Sequence, residues 1–281
     1  MKRCCATLCV VALCSVLVRA DVTLVQTYTI EGGMAAMTGG GMSPTLTTRI
    51  KGKKSRTDMD LQNSKVVTIT DLGAKQVTIL RPDQKTATIV TADAPAAGAD
   101  APAAAVPPAV EEAAKAVASS IKKSGKSQTI DGITCDEYTF ATRLNLSEIA
   151  GSRMPPEAAA VMQDLRLNME GSMWVAKDVP GAAEYIAFQK AAAASDMSSL
   201  IAGSMGMKVP GMDKVMKAIA GTDGMAYLTE VTITAEGSGQ VADMMRSMGP
   251  MKITTRTTSV NTDAVADDLF TIPADYKVIK Q

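Results

Sequence analysis

Residues 65–91 read KVVTITDLGAKQVTILRPDQKTATIVT, and this stretch decides the fold. It holds three runs rich in β-branched residues, KVVTIT, KQVTIL and KTATIVT, separated by DLGA and RPDQ. Pro82 suits the second position of a tight turn, so the pattern predicts an antiparallel meander of three strands. Short, evenly spaced hairpins favour a curved sheet or an open barrel over a doubly wound fold.

Strand patterns continue on both sides of the meander. Residues 21–30 alternate between apolar and polar side chains, residues 45–61 alternate loosely as one strand with a solvated face, and Asp131-Gly132 is a strong two-residue hairpin signal. Further alternation places five apolar residues on one strand face: Leu165, Leu167, Met169, Met173 and Val175. The same pattern in residues 225–237 predicts a second such face: Tyr227, Val231, Ile233 and Ala235.

Three segments have the pattern of helices. Val110, Ala114, Val117 and Ile121 fall on one helical face, residues 178–195 form a helix opened by Asp178 and Pro180, and residues 197–216 form two short helices broken around KVPG. A turn of helix and an edge strand close the chain. The order predicts an α+β fold: a curved antiparallel β-sheet, or open half-barrel, with a helical layer covering one face.

The first 20 residues have the pattern of a secretory signal peptide. Lys2 and Arg3 precede an apolar run from Cys5 to Val18, and Val18-Arg19-Ala20 is a small-residue cleavage site. The run is shorter than the roughly 20 residues of a spanning helix, and VALC at Cys14 lacks the small residue of a lipobox. We therefore expect a periplasmic protein without a lipid anchor or an integral span. Residues 21–281 are expected to form one domain with a flexible Ala/Pro-rich insert at 92–108.

Composition excludes several classes of function. The leader would remove three of the 29 basic residues and none of the 29 acidic ones, leaving a net charge near −3. This charge and an aromatic content of 3% make nucleic acid a poor partner. Cys135 would be the one cysteine left, so we expect no intramolecular disulfide and a buried thiol in a strand.

Catalytic and cofactor chemistry has little support in the sequence. The chain has no histidine, which removes the Ser-His-Asp triad, the Cys-His pair and a His-ligated zinc site. SGKS at 124–127 lacks the upstream glycine of a phosphate loop, and Ser119-x-x-Lys122 fits a solvated helix end better than a penicillin-binding motif. We expect a protein that is not an enzyme and holds no cofactor.

Methionine is the unusual feature, with 19 residues against nine aromatic ones. Residues 197–216 alone hold five methionines. Three interpretations stay open: filler of an ordinary core, a soft-metal site for Cu(I) or Ag(I), or an adaptable apolar surface that accepts acyl chains.

Three segments carry a family resemblance. SQTIDGITCDEYTF (127–140), MWVAKDVPGAAEYIAFQK (173–190) and DDLFTIPADYKVI (267–279) resemble the hairpin, covering helix and closing segment of an uncharacterised bacterial secreted domain family. That family is similar to the periplasmic lipoprotein-carrier (LolA/LolB-like) half-barrel. The resemblance covers most of residues 21–281 apart from the insert, and its motifs are structural rather than catalytic.

The resemblance implies an apolar cavity between sheet and helices, in which the carriers hold acyl chains. The expected function is therefore non-enzymatic binding of an apolar ligand, either acyl chains or a lipidated partner. The alternatives are a methionine-rich Cu(I)/Ag(I)-binding protein and an envelope scaffold without a small ligand. The residues expected in the groove or its helical lid are Leu200, Ile201, Met205, Met207, Met212, Met216, Met173 and Val175.

Overall fold

The computed structural model describes residues 21–32, 43–61, 64–91, 108–145, 164–195, 197, 200, 212–222 and 224–280. In these ranges the strands are β1 (Val22–Glu31), β2 (Thr45–Lys51), β3 (Lys54–Leu61), β4 (Ser64–Asp71), β5 (Gln76–Arg81), β6 (Thr86–Thr91), β7 (Lys122–Ile130), β8 (Ile133–Asn145), β9 (Arg166–Ala176), β10 (Met225–Glu236), β11 (Met251–Asn261) and β12 (Lys277–Lys280). The helices are α1 (Pro108–Ser120), α2 (Ala182–Ala194), α3 (Met212–Ala220) and α4 (Gln240–Ser247).

The described strands form one 12-stranded sheet in the order β12-β6-β5-β4-β3-β2-β1-β11-β10-β9-β8-β7. Every neighbouring pair is antiparallel except β12 and β6, which run parallel. The sheet does not close, because β12 and β7 lie at opposite edges. Register shifts at Val25/Gln26 and Ala226/Leu228 bend the central strands. The predicted curved antiparallel sheet of an α+β fold is confirmed.

Turn chemistry explains the hairpins that the sequence predicted. The meander is confirmed as β4, β5 and β6, and Pro82 opens a short 3₁₀-helix (Pro82–Gln84) between the last two strands. Asp131 and Gly132 have φ angles of +51° and +82°, which a type I′ turn requires, and they join β7 to β8.

Several boundaries differ from the sequence-based expectation. Residues 45–61 form a hairpin, β2 and β3, because Gly52 adopts a φ of +58° and turns the chain. Helix α2 starts at Ala182 after Gly181 rather than at Asp178, and a Cβ on Gly181 would lie 2.6 Å from Val22 Cγ2. The bulge at Ala226/Leu228 places Tyr227 in the cluster of Met225 and Cys135, so it does not continue the Val231–Ala235 alternation.

Two different segments cover the two faces of the sheet. On the inner face, which we define as the face that α2 contacts, Phe188 and Ala192 pack against Val22 and Ile50. The outer face is the opposite one. There residues 265–276, the C-terminal segment, pack on an apolar cluster that includes the buried side chains Val67, Ile69, Leu80 and Ala87. A helical layer on one face was predicted, whereas this second cover was not.

Some predictions fall on residues outside the described ranges. The leader 1–20 and residues 92–107 of the insert belong to this group, and Pro108 begins α1. Cys135 is confirmed as a buried free thiol in β8. Among the described residues, no helix combines the length and the hydropathy that crossing a membrane requires.

Candidate functional site

The register of five strands sets side chains in rows across the inner face, because paired residues of antiparallel strands point to the same side. All four rows start in β8 and pass through β9 and β10; the first three continue to β11, and the first two also reach β1. The rows are Tyr138-Met173-Thr229-Thr255-Tyr28, Phe140-Gly171-Val231-Ile253-Ile30, Thr142-Met169-Ile233-Met251 and Leu144-Leu167-Ala235. The first row is rich in hydroxyl groups, and the other three are predominantly apolar.

Helices α2 and α3 pack over the first row. Met173 shares a small cavity with Tyr185 and Ile186 of α2 and with Ile219 of α3. The cavity volume is about 50 Å³. An engineered cavity of about 150 Å³ is needed to hold benzene, and a water molecule takes about 30 Å³ of liquid. The closed cavity is therefore too small for an acyl chain.

Tyrosines give this covered end a polar character. The Tyr138 hydroxyl donates a hydrogen bond of 3.2 Å to the carbonyl oxygen of Thr222, just before β10. Burial, together with the nearby Tyr28, raises the pKa of Tyr185 to about 12, and a hydrogen bond with Gln189 acts against this shift. Burial also raises the pKa of Tyr28, which a hydrogen bond with Thr255 partly opposes. The three tyrosines, which we call the belt, thus place hydroxyl groups at the covered end of the inner face.

Beyond the belt lies a half-buried apolar surface, which we call the open strip. Its members are the large apolar residues of the second, third and fourth rows: Ile30, Phe140, Leu144, Leu167, Met169, Val231, Ile233, Met251 and Ile253. Each retains contact with solvent, as do the other four residues of the first row, whereas Met173 is buried. Strands lie about 4.8 Å apart, so the second row extends for about 19 Å across its five strands. The open strip is therefore long enough to receive an extended apolar chain.

Gly171 shapes the middle of the open strip. A Cβ at this position would lie 2.7 Å from Cζ of Phe140 and 2.3 Å from the carbonyl oxygen of Glu230. The ring of Phe140 thus lies over the glycine, and the second row stays shallow where a side chain would otherwise stand.

One polar atom lies within this apolar surface. The Thr142 hydroxyl oxygen is buried and has no hydrogen-bond partner in the described part of the chain. Its neighbours along β8 on the same face are Phe140 and Leu144, and its partner on β9 is Met169. None of these three side chains can accept a conventional hydrogen bond strongly, which accounts for the orphaned hydroxyl.

The outer face of the same strands has the opposite character. An open groove there is lined by Lys122, Lys252, Glu170 and Glu230, together with hydroxyl residues such as Thr232. At one end of this face, Ser124 Oγ donates a 2.6 Å hydrogen bond to Glu137 Oε2. Charged and hydroxyl side chains can keep their water in this groove, so its character differs from that of the apolar rows on the inner face.

The structure places some of the residues predicted for the groove. Met173 and Val175 lie in β9 with 4% and 1% of their surface exposed, and Met173 lines the small cavity. Leu200 is half-buried, and the backbones of Met212 and Met216 lie in α3. Ile201, Met205 and Met207 lie outside the described residues. The helical-lid assignment therefore stays a prediction.

Sequence analysis missed most of the open strip. The alternation identified four strip residues as neighbours on their own strands, yet it could not align one strand with the next. These four are Leu167 and Met169 in β9 and Val231 and Ile233 in β10. It also missed Thr142, and α4, which packs against β10. Gly237 and Gly239 before α4, with φ angles of +126° and +100°, are the signal that a new element begins there.

The fold and this inner face define the class of protein: an unclosed, curved sheet with helices over one end of its inner face and apolar side chains along the rest. No protein-family model matches the chain, and comparison with curated proteins finds no match. Among solved structures, it is similar to an uncharacterised conserved protein from Thermus thermophilus, with 7% identity, a TM-score of 0.39 and coverage of 94% of this chain and 92% of that one.

It is also similar to LprF from Mycobacterium bovis, with 8% identity, a TM-score of 0.28 and coverage of 92% and 90%. Neither overlap is close enough to support an argument about family or ligand.

Proposed function

We propose that this chain binds the acyl chain of a lipid, either free or attached to a protein, along the open strip. The observation that carries the proposal is the set of apolar rows that continue, half-buried, beyond the part of the inner face under α2 and α3. Large apolar surfaces that stay in contact with solvent are typical of binding sites. The groove on the outer face of the same strands is instead lined largely by charged and hydroxyl residues, beside Phe140 and Ala141.

The strength of such binding follows from burial. Each methylene removed from water contributes about 0.8 kcal/mol, so ten methylenes contribute about 8 kcal/mol before the costs of association. The methionines Met169 and Met251 suit this use, because their unbranched side chains adapt to ligands of different shape at low cost. Binding of this kind requires no catalytic group, and we propose that the chain is not an enzyme.

Native mass spectrometry of residues 21–281 purified from a periplasmic extract is the direct test. The proposal predicts added masses that leave the protein on solvent extraction and are recovered as lipids. Added copper or silver would instead support the Cu(I)/Ag(I) alternative, whose thioether ligands the methionines would supply. A protein that carries no added mass and takes up no lipid on incubation would contradict the proposal and favour a scaffold.

A pair of neighbouring substitutions locates the site. Ile233 points to the inner face and Thr232 to the outer face of the same strand. We expect Ile233→Asn to weaken binding of a neutral phenylnaphthylamine dye about tenfold, since it places an amide in the middle of the third row. Thr232→Asn is the matched control and should leave the affinity within about twofold. Equal effects of both substitutions would exclude the open strip as the site.

Export through the leader is part of the same proposal. A carrier of acyl chains in the periplasm would have to lose residues 1–20 and keep the inner face accessible. N-terminal sequencing of the protein from the periplasm should therefore begin at Asp21.

A further inference from the structure

The unpaired hydroxyl of Thr142 indicates which functional group a ligand of the open strip should carry. This inference rests on the proposed binding of acyl chains. A buried polar atom without a partner destabilises the folded chain, and native proteins hold few of them. The Thr142 oxygen is such an atom in the described part of the chain, and it lies in the third row between the strip residues Phe140 and Leu144.

The side chain can offer this hydroxyl to a ligand. Thr142 as a residue is half-buried while its hydroxyl oxygen is fully buried, so its exposed surface belongs to other atoms, some of which line a groove with Arg143 and Glu170 of the outer face. Rotation by about 120° about χ1 moves the hydroxyl from one staggered position on Cβ to another, so the direction of the oxygen is not fixed. A ligand with an acceptor at this depth would therefore gain a hydrogen bond that the free protein lacks.

An unfunctionalised hydrocarbon has no such acceptor. The ester carbonyl of an acyl lipid has one, joined directly to the alkyl chain that the neighbouring rows would bury. We infer that the open strip selects ester-linked acyl chains, with the Thr142 hydroxyl donating a hydrogen bond to the ester carbonyl oxygen. An ether-linked alkyl chain of the same length would fill the strip and leave the hydroxyl without this bond.

A matched pair of soluble lipids tests the inference. The probes are 1-palmitoyl lysophosphatidylcholine, which has an ester carbonyl, and its 1-O-hexadecyl ether counterpart, which does not. Both are titrated below their micelle concentrations against the wild-type protein and the variants Thr142→Val and Thr142→Ser. Valine has nearly the shape of threonine and removes only the hydroxyl, whereas serine keeps it.

The expected result is a preference of the wild-type protein for the ester by roughly five- to tenfold, the usual effect of one hydrogen bond to a buried group. Thr142→Ser should keep the preference. Thr142→Val should abolish it by weakening ester binding, with ether binding unchanged. An ester preference that survives in Thr142→Val, or equal binding of both lipids by the wild-type protein, would overturn the inference and leave the proposed function intact. Failure of both lipids to bind would overturn the two together.

The same ester occurs in free lipids and in diacylglyceryl groups attached to proteins. A short peptide with an N-terminal S-diacylglyceryl cysteine distinguishes these sources when it competes with the ester lysolipid. Stronger competition by the lipopeptide than by free lysolipid identifies a protein-borne anchor, and weaker competition identifies a free lipid. Either result supports selection of the ester if the competition weakens in Thr142→Val.

Discussion

The two wings of the sheet differ in the solvent exposure of their apolar side chains. In the N-terminal wing, β2 to β6, the C-terminal segment covers the outer face, and Val67, Leu80 and Ala87 beneath it have at most 2% of their surface exposed. In the C-terminal wing, β7 to β11 with the adjoining β1, the apolar residues of the open strip are on the inner face and stay half-buried. The first wing is built for stability, whereas the second keeps apolar surface available at a cost in stability.

Ionic contacts hold the cover on the N-terminal wing. Arg56 donates two hydrogen bonds, of 2.9 and 3.0 Å, to the carboxylate of Asp58. It donates a third, of 2.9 Å, to the carbonyl oxygen of Leu269 in the C-terminal segment. Arg49 adds a 2.6 Å hydrogen bond to Asp58. Lys51 donates to the carbonyl oxygen of Val265 and pairs with Asp267. The segment is thus bound by both apolar and charged contacts.

The largest effect is expected at Asp58. Its side chain is 6% exposed, and replacement by asparagine would leave the guanidinium groups of Arg49 and Arg56 without their common carboxylate. Loss of one partner from a buried ion pair costs about 3 to 5 kcal/mol in the free energy of unfolding, measured by urea denaturation. Asp60→Asn on the same strand face is the control, because Asp60 is 55% exposed and should change stability by less than about 0.5 kcal/mol. Similar small effects of both substitutions would show that the charged contacts do not hold the cover.

The same substitution in each wing separates stability from binding. Ile69 of β4 is 5% exposed under the C-terminal segment, whereas Ile233 in the open strip is half-buried. We expect Ile69→Ala to cost about 3 kcal/mol of unfolding free energy and Ile233→Ala about 1 kcal/mol. Dye binding should respond in the reverse order, with a loss in Ile233→Ala and none in folded Ile69→Ala. A larger stability loss at Ile233 than at Ile69 would contradict the division into a sealed wing and an open one.

The meander shows how much of this architecture the sequence can predict. Local alternation and turn residues specify β4, β5 and β6, as they specify the Asp131-Gly132 hairpin, because each depends on neighbours in the chain. The pairing of β1 with β11 and of β12 with β6 joins residues that are far apart, and nothing local encodes it. The cover on the outer face was missed for this reason, since Phe270 and Val265 are apolar residues in a polar tail until the sheet is known.

Most of the open strip was missed for a related reason. Methionine density directed attention to residues 197–216, and part of that stretch lies outside the described residues. The open strip is instead assembled from single residues of five strands, so its rows appear only when the register is known. The bulge at Tyr227 reverses the sheet face to which the preceding residues of β10 point. Analysis of apolar alternation in one strand cannot detect such a reversal.

Acid and alkaline pH should each lower the stability of the fold, but through different contacts, one on each face of the sheet. Burial raises the pKa of Asp58, but hydrogen bonds and charges from Arg56, with the charges of Arg49 and Lys65, outweigh it and hold the pKa below its ordinary value of 3.8. A depressed pKa stabilises the fold fully above the unfolded value and loses this contribution as pH falls through the folded value. Stability of the wild-type protein should therefore fall below about pH 4, and the fall should be shallower in Asp58→Asn.

Alkaline pH should act through helix α2, which packs on the inner face of both wings. Burial raises the pKa of Tyr185 from 10.0 to about 12, so its contribution is complete below pH 10 and is lost as pH rises through the folded value. Tyr185→Phe should reduce this alkaline loss without changing the acid limb. Urea denaturation of the wild-type protein and both variants across pH measures the two limbs. If Asp58→Asn altered the alkaline limb as much as Tyr185→Phe, the contacts of the C-terminal segment and those of α2 would not contribute independently to stability.

The smallest changes in the free energy of unfolding are expected at two threonines, and the two changes should have opposite signs. Thr257 in β11 is 1% exposed and fully engaged: its hydroxyl donates a 2.9 Å hydrogen bond to the carbonyl oxygen of Ala226 and accepts one of 3.3 Å from Gln26. Thr257→Val leaves buried partners unsatisfied and should cost about 1 to 2 kcal/mol. Thr142→Val removes an unpaired hydroxyl from apolar surroundings, so it should stabilise the ligand-free protein by up to about 1 kcal/mol. Urea denaturation of delipidated protein measures both values. A loss of stability in Thr142→Val would mean that its hydroxyl already has a partner, and the open strip would then have no reason to favour an ester over an ether.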